Sequence, residues 1–421
     1  MAILMSKGLG QSKLPTNIIN FMKKYMPPNK TILVFIGTYL PGNKAGGPIR
    51  SVANVVESLG DEFNFKIITA DHDLGQAQPY PGIVPDTWCR FGKAEVYYAS
   101  KKSFSLRALI KLLNSMDYDV LYLNSLFCLN FTIKPLLLRY LKLIPNITTI
   151  LAPRGMFSPG ALRLKWLKKR VYIFIVRFIG LYSNIIWQAS SRFEEIDIRH
   201  VFGGTGHQMK DPVIVAPDLV GYQMDHSPYP LRIKKQGTLD IVFLSRISPM
   251  KNLDAALAML KGIQGDINFN IFGPIEDQKY FQICHKICEG LDSNIKVTFH
   301  GEVDHAGVQG VLSSNHLFFL PTLGENFGHV ILEALLAGCP VLISDKTQWK
   351  DLENLGIGWD IPLNSPDKFK AILKRFVEMD NEEFIVFSKR AANFGKTQLN
   401  NSTILEQNRE LFRSALKISK N

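Results

Sequence analysis

The stretch from His316 to Ser344 most constrains how this chain can fold, because it reads as strand, loop, helix and strand in one short run. Leu317–Leu320 is a short apolar run, which predicts a buried strand. Phe327–Ala337 carries apolar residues at helical spacing, and Gly338 stands where a helix ends. Val341–Ile343 predicts the next buried strand. Such a unit forms a right-handed crossover in a parallel sheet, and its first loop lies at the carboxyl edge where ligands bind.

That loop contains Gly324, Glu325, Asn326 and Gly328 directly before the predicted helix. Free N–H groups at a helix start and the helix dipole attract a diphosphate. Glu325 would repel a diphosphate, so we expect it to face hydroxyl groups. Glu333 lies eight residues further on, more than one turn into the helix. Two acids beside an anion site predict a ligand that is both anionic and polyhydroxylated, which describes a sugar nucleotide.

The spacing Glu325-x7-Glu333, inside GENFGHVILEALLAGCPVLIS, resembles the retaining glycosyltransferases of family 4. Those enzymes have the GT-B fold, an α/β architecture of two doubly wound, Rossmann-like domains that face a cleft. The resemblance implies that Glu325 acts at the transferred sugar and that Glu333 holds the ribose hydroxyls. It also implies that Asn326, Phe327 and Gly328 take part in donor binding.

A second part of the resemblance is the pair Arg246 and Lys251 in SRISPMKN, which follows the predicted strand Leu239–Ser245. Two cations in one strand-to-helix loop would stand together at the carboxyl edge of the sheet. They could neutralise a leaving diphosphate without a metal. Family 4 enzymes have this Arg-x4-Lys pair, which implies a catalytic role for both residues.

In the first half, Gly46 and Gly47 stand between the predicted strand Thr31–Gly37 and a helix that begins at Pro48. This pattern is typical of a loop that a phosphate can approach, although such turns also occur without a ligand. The resemblance places the glycine pair beside the donor phosphates and the acceptor. Arg154 follows another predicted strand, where many family members have a histidine. We predict a phosphate or acceptor contact for Arg154, with an ordinary surface arginine as the alternative.

Charge is unevenly distributed along the chain. Residues 1–217 contain 27 Lys and Arg against 13 Asp and Glu, whereas the remainder contain 22 against 24. The basic half predicts an anionic partner surface. Leu162–Phe178 places Lys165, Lys168 and Lys169 among apolar residues, so we predict an amphipathic helix on an anionic membrane surface. The alternative is a core helix with a solvated basic face. Nucleic acid is not predicted as a partner, because no recognition motif is present.

Other features predict the compartment and the cofactors. The five cysteines show no paired spacing, which favours a reducing cytoplasm. The apolar start before Lys7 is too short for a signal peptide, and the longest apolar run, Val171–Trp187, is broken by Arg177. No Asp-x-Asp pair lies in a suitable loop and no His/Cys cluster has ligand spacing, so no metal and no cofactor are predicted. The expected location is the cytoplasm, peripherally at the inner face of the cell membrane.

Together these features predict an acceptor-side domain over residues 1–217 and a nucleotide-sugar domain over residues 218–395. Residues 396–421 are expected to pack back on the first domain, as the last helix of the GT-B fold does. The resemblance implies retaining transfer of a hexose-type residue from a nucleoside diphosphate sugar to a saccharide or polyprenyl-linked acceptor, in bacterial surface-polysaccharide synthesis. Two alternatives stay open: a non-catalytic sugar-nucleotide-binding protein and a nucleotide-sugar epimerase of the same fold.

Overall fold

The computed structural model describes residues 30–163, 166–203, 209–221, 232–399 and 401–418. Their strands form two sheets, which are parallel throughout except for one antiparallel pair at an edge of the first sheet. The strands of the first sheet are β1 Thr31–Phe35, β2 Asn64–Ala70, β3 Trp88–Phe91, β4 Ala94–Ala99, β5 Val120–Asn124, β6 Thr149–Ala152, β7 Ile186–Ala189 and β8 Val213–Val215. Those of the second sheet are β9 Thr238–Leu244, β10 Asp266–Phe272, β11 Ile295–Gly301, β12 Leu317–Leu320, β13 Val341–Ser344 and β14 Gly358–Ile361.

Helices connect most of these strands and cover both sheets. The described α-helices are α1 Gly47–Leu59, α2 Leu106–Asn114, α3 Lys134–Tyr140, α4 Pro159–Arg163, α5 Trp166–Phe178, α6 Arg192–Gly203, α7 Leu253–Leu260, α8 Gln278–Cys288, α9 His305–Ser313, α10 His329–Leu336, α11 Leu352–Leu355, α12 Pro366–Glu378, α13 Asn381–Leu399 and α14 Ser402–Ile418. Because helices lie on both faces, the central strands consist mostly of apolar residues, as in Ile32–Phe35 of β1 and LFFL of β12.

Each sheet has one point where its strand order reverses. The first sheet has the order β3-β4-β2-β1-β5-β6-β7-β8 and reverses between β1 and β5. The second has the order β11-β10-β9-β12-β13-β14 and reverses between β9 and β12. Loops leave such a point in opposite directions and open a crevice at the carboxyl ends of the strands. The architecture therefore creates two crevices, one on each sheet.

The last helix belongs to the core of the first sheet. Leu411, Phe412 and Ala415 of α14 are fully buried there. The ring of Phe412 packs against those of Phe65 and Tyr122, with centroids 5.7 and 5.5 Å apart. The chain thus returns to its first sheet after completing the second. The domain limits at residues 217 and 395 stay predictions.

Several elements differ from the sequence-based expectation. The strands β3, β4, β8 and β14 and the helices α11 and α13 were not predicted from the sequence. Within the predicted helix Leu162–Phe178, the described residues belong to the end of α4 and to α5. Lys165, with Leu164, lies outside the described residues.

Candidate active site

A cavity of about 530 Å³ lies between the carboxyl edges of the two sheets, where the two crevices meet. Its volume is in the range of ordinary ligand sites. All ten residues singled out from the sequence line it: Gly46, Gly47, Arg154, Arg246, Lys251, Glu325, Asn326, Phe327, Gly328 and Glu333. The structure therefore brings together side chains from both halves of the chain.

The loops that follow β9 and β12 are bonded to each other at the floor of the cavity. The carbonyl oxygen of Met250 accepts from Leu323 N at 2.9 Å and from Thr322 Oγ1 at 3.0 Å. Asn252, in the left-handed conformation at φ 59°, donates from Nδ2 to the carbonyl of Pro321 at 2.8 Å. These bonds hold the two loops as one unit.

As a result, Lys251 and Glu325 form an ion pair. Lys251 is almost fully buried, and its ammonium group reaches Glu325 Oε2. Arg246 lies at the same edge and is paired with Glu276, with Nη1 3.0 Å from Oε2. Both cations are thus held at the strand ends of the second sheet by carboxylates.

Gly328 shows why a glycine precedes α10. Its φ is 75°, and a Cβ there would lie 2.8 Å from Ile331 Cδ1 and 3.0 Å from Glu325 Cγ. Any other residue would therefore push on the side chain of Glu325. With glycine in place the chain turns sharply, and the helix starts at His329 with its N–H groups at the cavity.

Asn326 and Phe327 have different surroundings. Asn326 Oδ1 lies 2.7 Å from Ser190 Oγ of the first domain, so Asn326 spans the cleft. Phe327 is buried, and its ring packs on those of His329 and Trp349. Its carbonyl oxygen accepts from Trp349 Nε1 at 2.7 Å. Phe327 thus supports the loop from below while its backbone lines the cavity.

Glu333 is 6% exposed and forms an ion pair with Arg50 of α1, across the cleft. Burial lowers the pKa of the Arg50 guanidinium to about 10, which leaves it charged at neutral pH. Arg50 was missed by the sequence analysis. The available signal was its position three residues after Gly47, in the first turn of the helix that the glycine pair precedes.

Arg154 lines the cavity with its backbone in the left-handed region, at φ 57°. Its guanidinium is buried and pairs with Asp218, and it also donates to Asn124 Oδ1 at 2.7 Å and Tyr122 OH at 2.7 Å. Burial raises the pKa of Asp218, but the charge of Arg154 and bonds from His329 and Ser51 outweigh it and hold the pKa at about 2. Most donors of Arg154 are therefore already engaged within the protein.

Asp218 also connects the two domains. Ser51 Oγ donates to Asp218 Oδ2 at 2.8 Å and lies 3.2 Å from His329 Nε2 of the second domain. Ser51, Asp218 and His329 were likewise missed. His329 follows Gly328 within the stretch His316–Ser344, whereas Asp218 lies in a proline-rich region without periodicity.

Two further observations concern metals and membranes. Among the described residues, no group of three or more His, Cys, Asp or Glu is arranged to hold a metal ion. Within the same part of the chain, no helix is both long and apolar enough to cross a bilayer.

Comparison with protein families finds a match in the second half of the chain. Residues 232–397 match the family model for glycosyl transferases group 1. This match contains the loops of Arg246, Lys251, Glu325 and Glu333.

Two curated proteins are similar in sequence. An uncharacterised 41.2 kDa protein in the cps region of Klebsiella pneumoniae is 26% identical over 270 residues, which are 60% of this chain and 70% of that protein. A phosphatidyl-myo-inositol mannosyltransferase of Mycobacterium leprae is 31% identical over 140 residues, about a third of either chain.

Among solved structures, HepE of Anabaena in complex with UDP and glucose superposes with a TM-score of 0.64 at 16% identity. The match covers 92% of this chain and all of that one. At such low identity it establishes the fold alone, and the predicted GT-B architecture is confirmed.

Proposed function

We propose that the protein is a glycosyltransferase with a specific reaction, because residues 232–397 match the family model for glycosyl transferases group 1. The protein transfers a hexose-type sugar from a nucleoside diphosphate sugar to a saccharide that is lipid-linked or lipid-anchored. The transfer retains the anomeric configuration and uses no metal. Its product belongs to a bacterial surface polysaccharide.

One observation carries this proposal: two cations and two carboxylates converge on one cavity from both sides of the strand-order reversal in the second sheet. Arg246 and Lys251 supply the positive charge that a departing diphosphate needs. Glu325 lies against Lys251 at the floor, and Glu333 lies just over one turn into α10. An anionic group flanked by two sets of hydroxyls, on the sugar and the ribose, matches this arrangement.

The proposed chemistry needs no protein nucleophile. The acceptor hydroxyl attacks the anomeric carbon on the face that the diphosphate leaves, so the new glycosidic bond forms as the carbon–oxygen bond to the diphosphate breaks. The acceptor proton passes to the leaving phosphate oxygen. Lys251 and Arg246 stabilise the charge on that group, and Glu325 positions the sugar. The guanidinium of Arg154 is paired with Asp218, so Arg154 acts indirectly, by stabilising the cavity wall on the acceptor side.

The lipid part of the proposal is supported by the surface of α5. Phe174 and Phe178 are 71% and 84% exposed, and Lys168 and Arg170 are exposed on the same helix. The helix is close to the cavity, because Ala161 of α4 lines the cavity and its carbonyl oxygen accepts from Lys169 Nζ at 2.5 Å. A helix with this composition lies in a membrane interface. We infer an anionic bilayer, contacted from the cytoplasm, as the place where the acceptor is presented.

The biological assignment has two further supports. The similar protein of Klebsiella pneumoniae lies in a cps region, and the similar protein of Mycobacterium leprae bears the name of an enzyme that acts on a phosphatidyl lipid. All five cysteines, which are described, are free thiols, as expected in a reducing compartment.

The test is a donor panel. The protein is incubated with UDP-, GDP-, ADP- and dTDP-sugars, and release of each diphosphate is recorded with and without membrane lipids. We expect release from one nucleotide class, and an α-linked product from an α-linked donor by NMR. Lys251→Ala should lower turnover by a factor on the order of 100 or more, because its ammonium group meets charge that grows in the transition state.

Lys261→Ala is the matched control, because Lys261 is an exposed lysine at the end of α7 in the same domain. Wild-type turnover in Lys251→Ala, or an inverted product, would contradict the mechanism. Conversion of a donor to its epimer without release of a diphosphate would identify the epimerase alternative.

A further inference from the structure

Besides Arg154, four cations at the cavity are each paired with a carboxylate in the described residues. Two pairs lie within the second domain, Arg246 with Glu276 and Lys251 with Glu325. The other two cross the cleft from the loop and helix after β1. They are Lys44 with Glu302, at 3.4 Å, and Arg50 with Glu333. Ionic contacts thus hold the two domains together across the cavity.

The Arg50–Glu333 pair occupies the carboxylate that the donor ribose needs under the proposed function. The side chain of Glu333 is only 8% exposed with Arg50 in place, so Arg50 competes with ribose hydroxyls for its carboxylate oxygens. Moving Arg50 away without a replacement would leave two charges unpaired, one of them almost buried, which is unfavourable.

A nucleoside diphosphate supplies both replacements. Its ribose hydroxyls can donate to Glu333, and its phosphate oxygens can accept from Arg50. The position of Arg50 suits this, because it lies in the first turn of α1, directly after the glycine pair, where helix N–H groups also favour an anion. A guanidinium fork matches phosphate oxygens in a bidentate manner.

We propose that Arg50 has two alternative partners: it pairs with Glu333 across the cleft, and it binds the donor diphosphate once the ribose has taken Glu333. Ribose and diphosphate are then recognised together, because neither alone satisfies both charges. A nucleoside without phosphate must break the pair and leaves Arg50 unpaired. Arg50 is therefore a donor-binding residue that couples recognition of the two parts of the nucleotide. This inference rests on the proposed function in taking Glu333 as the ribose ligand.

The closure is tested without any ligand. Small-angle X-ray scattering of the nucleotide-free protein should give a larger radius of gyration for Arg50→Gln and for Glu333→Gln than for wild type. The charge-exchanged double variant, Arg50→Glu with Glu333→Arg, should return toward the wild-type value. Arg409→Gln is the control, since it removes an arginine–glutamate pair with Glu62 that does not cross the cleft. Unchanged radii in both single variants would overturn the closing role.

The exchange of partners is tested by calorimetry with uridine and UDP, guanosine and GDP, adenosine and ADP, and thymidine and dTDP. For the base that binds, Arg50→Gln should weaken the diphosphate about tenfold or more, because a charged hydrogen bond is lost. The same variant should bind the nucleoside as tightly as wild type or more tightly. Arg50→Lys should recover only part of the diphosphate affinity.

The outcomes separate the two proposals. Equal weakening of nucleoside and diphosphate would show that Arg50 only supports the fold, and unchanged diphosphate affinity would show that it never meets the phosphates. If wild type binds none of these nucleotides, the proposed function and the phosphate role of Arg50 both fall. The scattering result still decides the closing role in that case.

Discussion

Arg154 and Asp218 form a buried ion pair at the wall of the cavity, with side chains only 5% and 4% exposed. A buried pair gains little over apolar residues of equal size, but removal of one partner leaves an uncompensated charge. The pair therefore stabilises the cavity wall, and its charged groups are not available to bind a ligand. Through Ser51 and His329 it also determines how the two domains meet.

Asp218→Asn should lower the free energy of unfolding by roughly 3–5 kcal/mol, because Arg154 keeps its charge in a buried site. Urea unfolding at pH 7 measures this. Glu62→Gln, which removes the exposed partner of Arg409, should cost less than about 1 kcal/mol. A similar small cost for both variants would contradict the structural role of the pair.

The same pair predicts a pH dependence. Folding lowers the pKa of Asp218 from 3.8 to about 2, so its stabilising contribution is complete above about pH 4. The contribution is lost as the pH falls through about 2, where the carboxylate accepts a proton. We therefore expect the difference in stability between wild type and Asp218→Asn to narrow between pH 4 and pH 2. A constant difference over that range would contradict this assignment.

Local spacing made some site residues predictable and left others hidden. Glu325 and Glu333 lie in one loop and helix, so the glycine loop and the helical spacing around them predicted that both would face one cavity, as they do. Arg50 meets Glu333 across 283 sequence positions, and Arg154 meets Asp218 across 64. Such partners depend on how two separately formed sheets face each other, which no local pattern specifies.

At the scale of elements, most buried parallel strands were predictable and most edge strands were not. The strand β12 is apolar throughout and was predicted with its observed bounds. In contrast, β3 lies at the edge of its sheet and has three exposed residues out of four, so no apolar run marks it. Its pairing with β4 depends on a turn at Gly92, whose φ is 58°. Short edge strands receive their stability from a neighbour rather than from their own sequence.

For α5 we predict that apolar contact contributes more to membrane binding than charge does. Full burial of an exposed phenylalanine contributes about 1.5–3 kcal/mol, against about 1 kcal/mol for a basic residue near an anionic surface. Phe174→Ser with Phe178→Ser should therefore weaken vesicle binding by roughly a hundredfold or more. Lys168→Gln with Arg170→Gln should have a smaller effect, confined to anionic vesicles and reduced by salt.

Sedimentation with anionic and neutral vesicles, at low and high salt, measures both variants. Ile283→Ser is the control, because Ile283 is an exposed apolar residue, at 54%, on α8 of the second domain. If wild type sediments with neither kind of vesicle, the membrane assignment of α5 is wrong. Binding that depends wholly on charge would instead point to a surface association without insertion.

At the scale of the whole molecule, α14 joins the end of the chain to its beginning. Asn408 donates to the carbonyl of Pro217 at 2.7 Å, and Arg409 pairs with Glu62 at 2.7 Å. The first sheet therefore takes part of its core from residues that follow the second sheet. The first half of the sequence therefore does not contain all the contacts of its own folding unit.

Phe412→Ala should destabilise the protein by about 3–5 kcal/mol, because a fully buried ring is removed from a core of aromatic neighbours. Phe174→Ala, at an exposed position, should change stability by less than about 0.5 kcal/mol. Thermal unfolding followed by circular dichroism measures both. Equal and small effects would show that α14 is only loosely attached to the first sheet.

The return of α14 to the first sheet has a consequence for synthesis on the ribosome. The strands of the first sheet emerge early, but the helix that completes their core is the last to be made. At about 5–20 residues per second, the intervening segment takes roughly 10–40 s to translate. During that interval Phe65 and Tyr122 lack their partner Phe412. The core of the second sheet needs no later residues, so this sheet can fold first. The first sheet stays incomplete, and accessible to chaperones, until α14 has been synthesised.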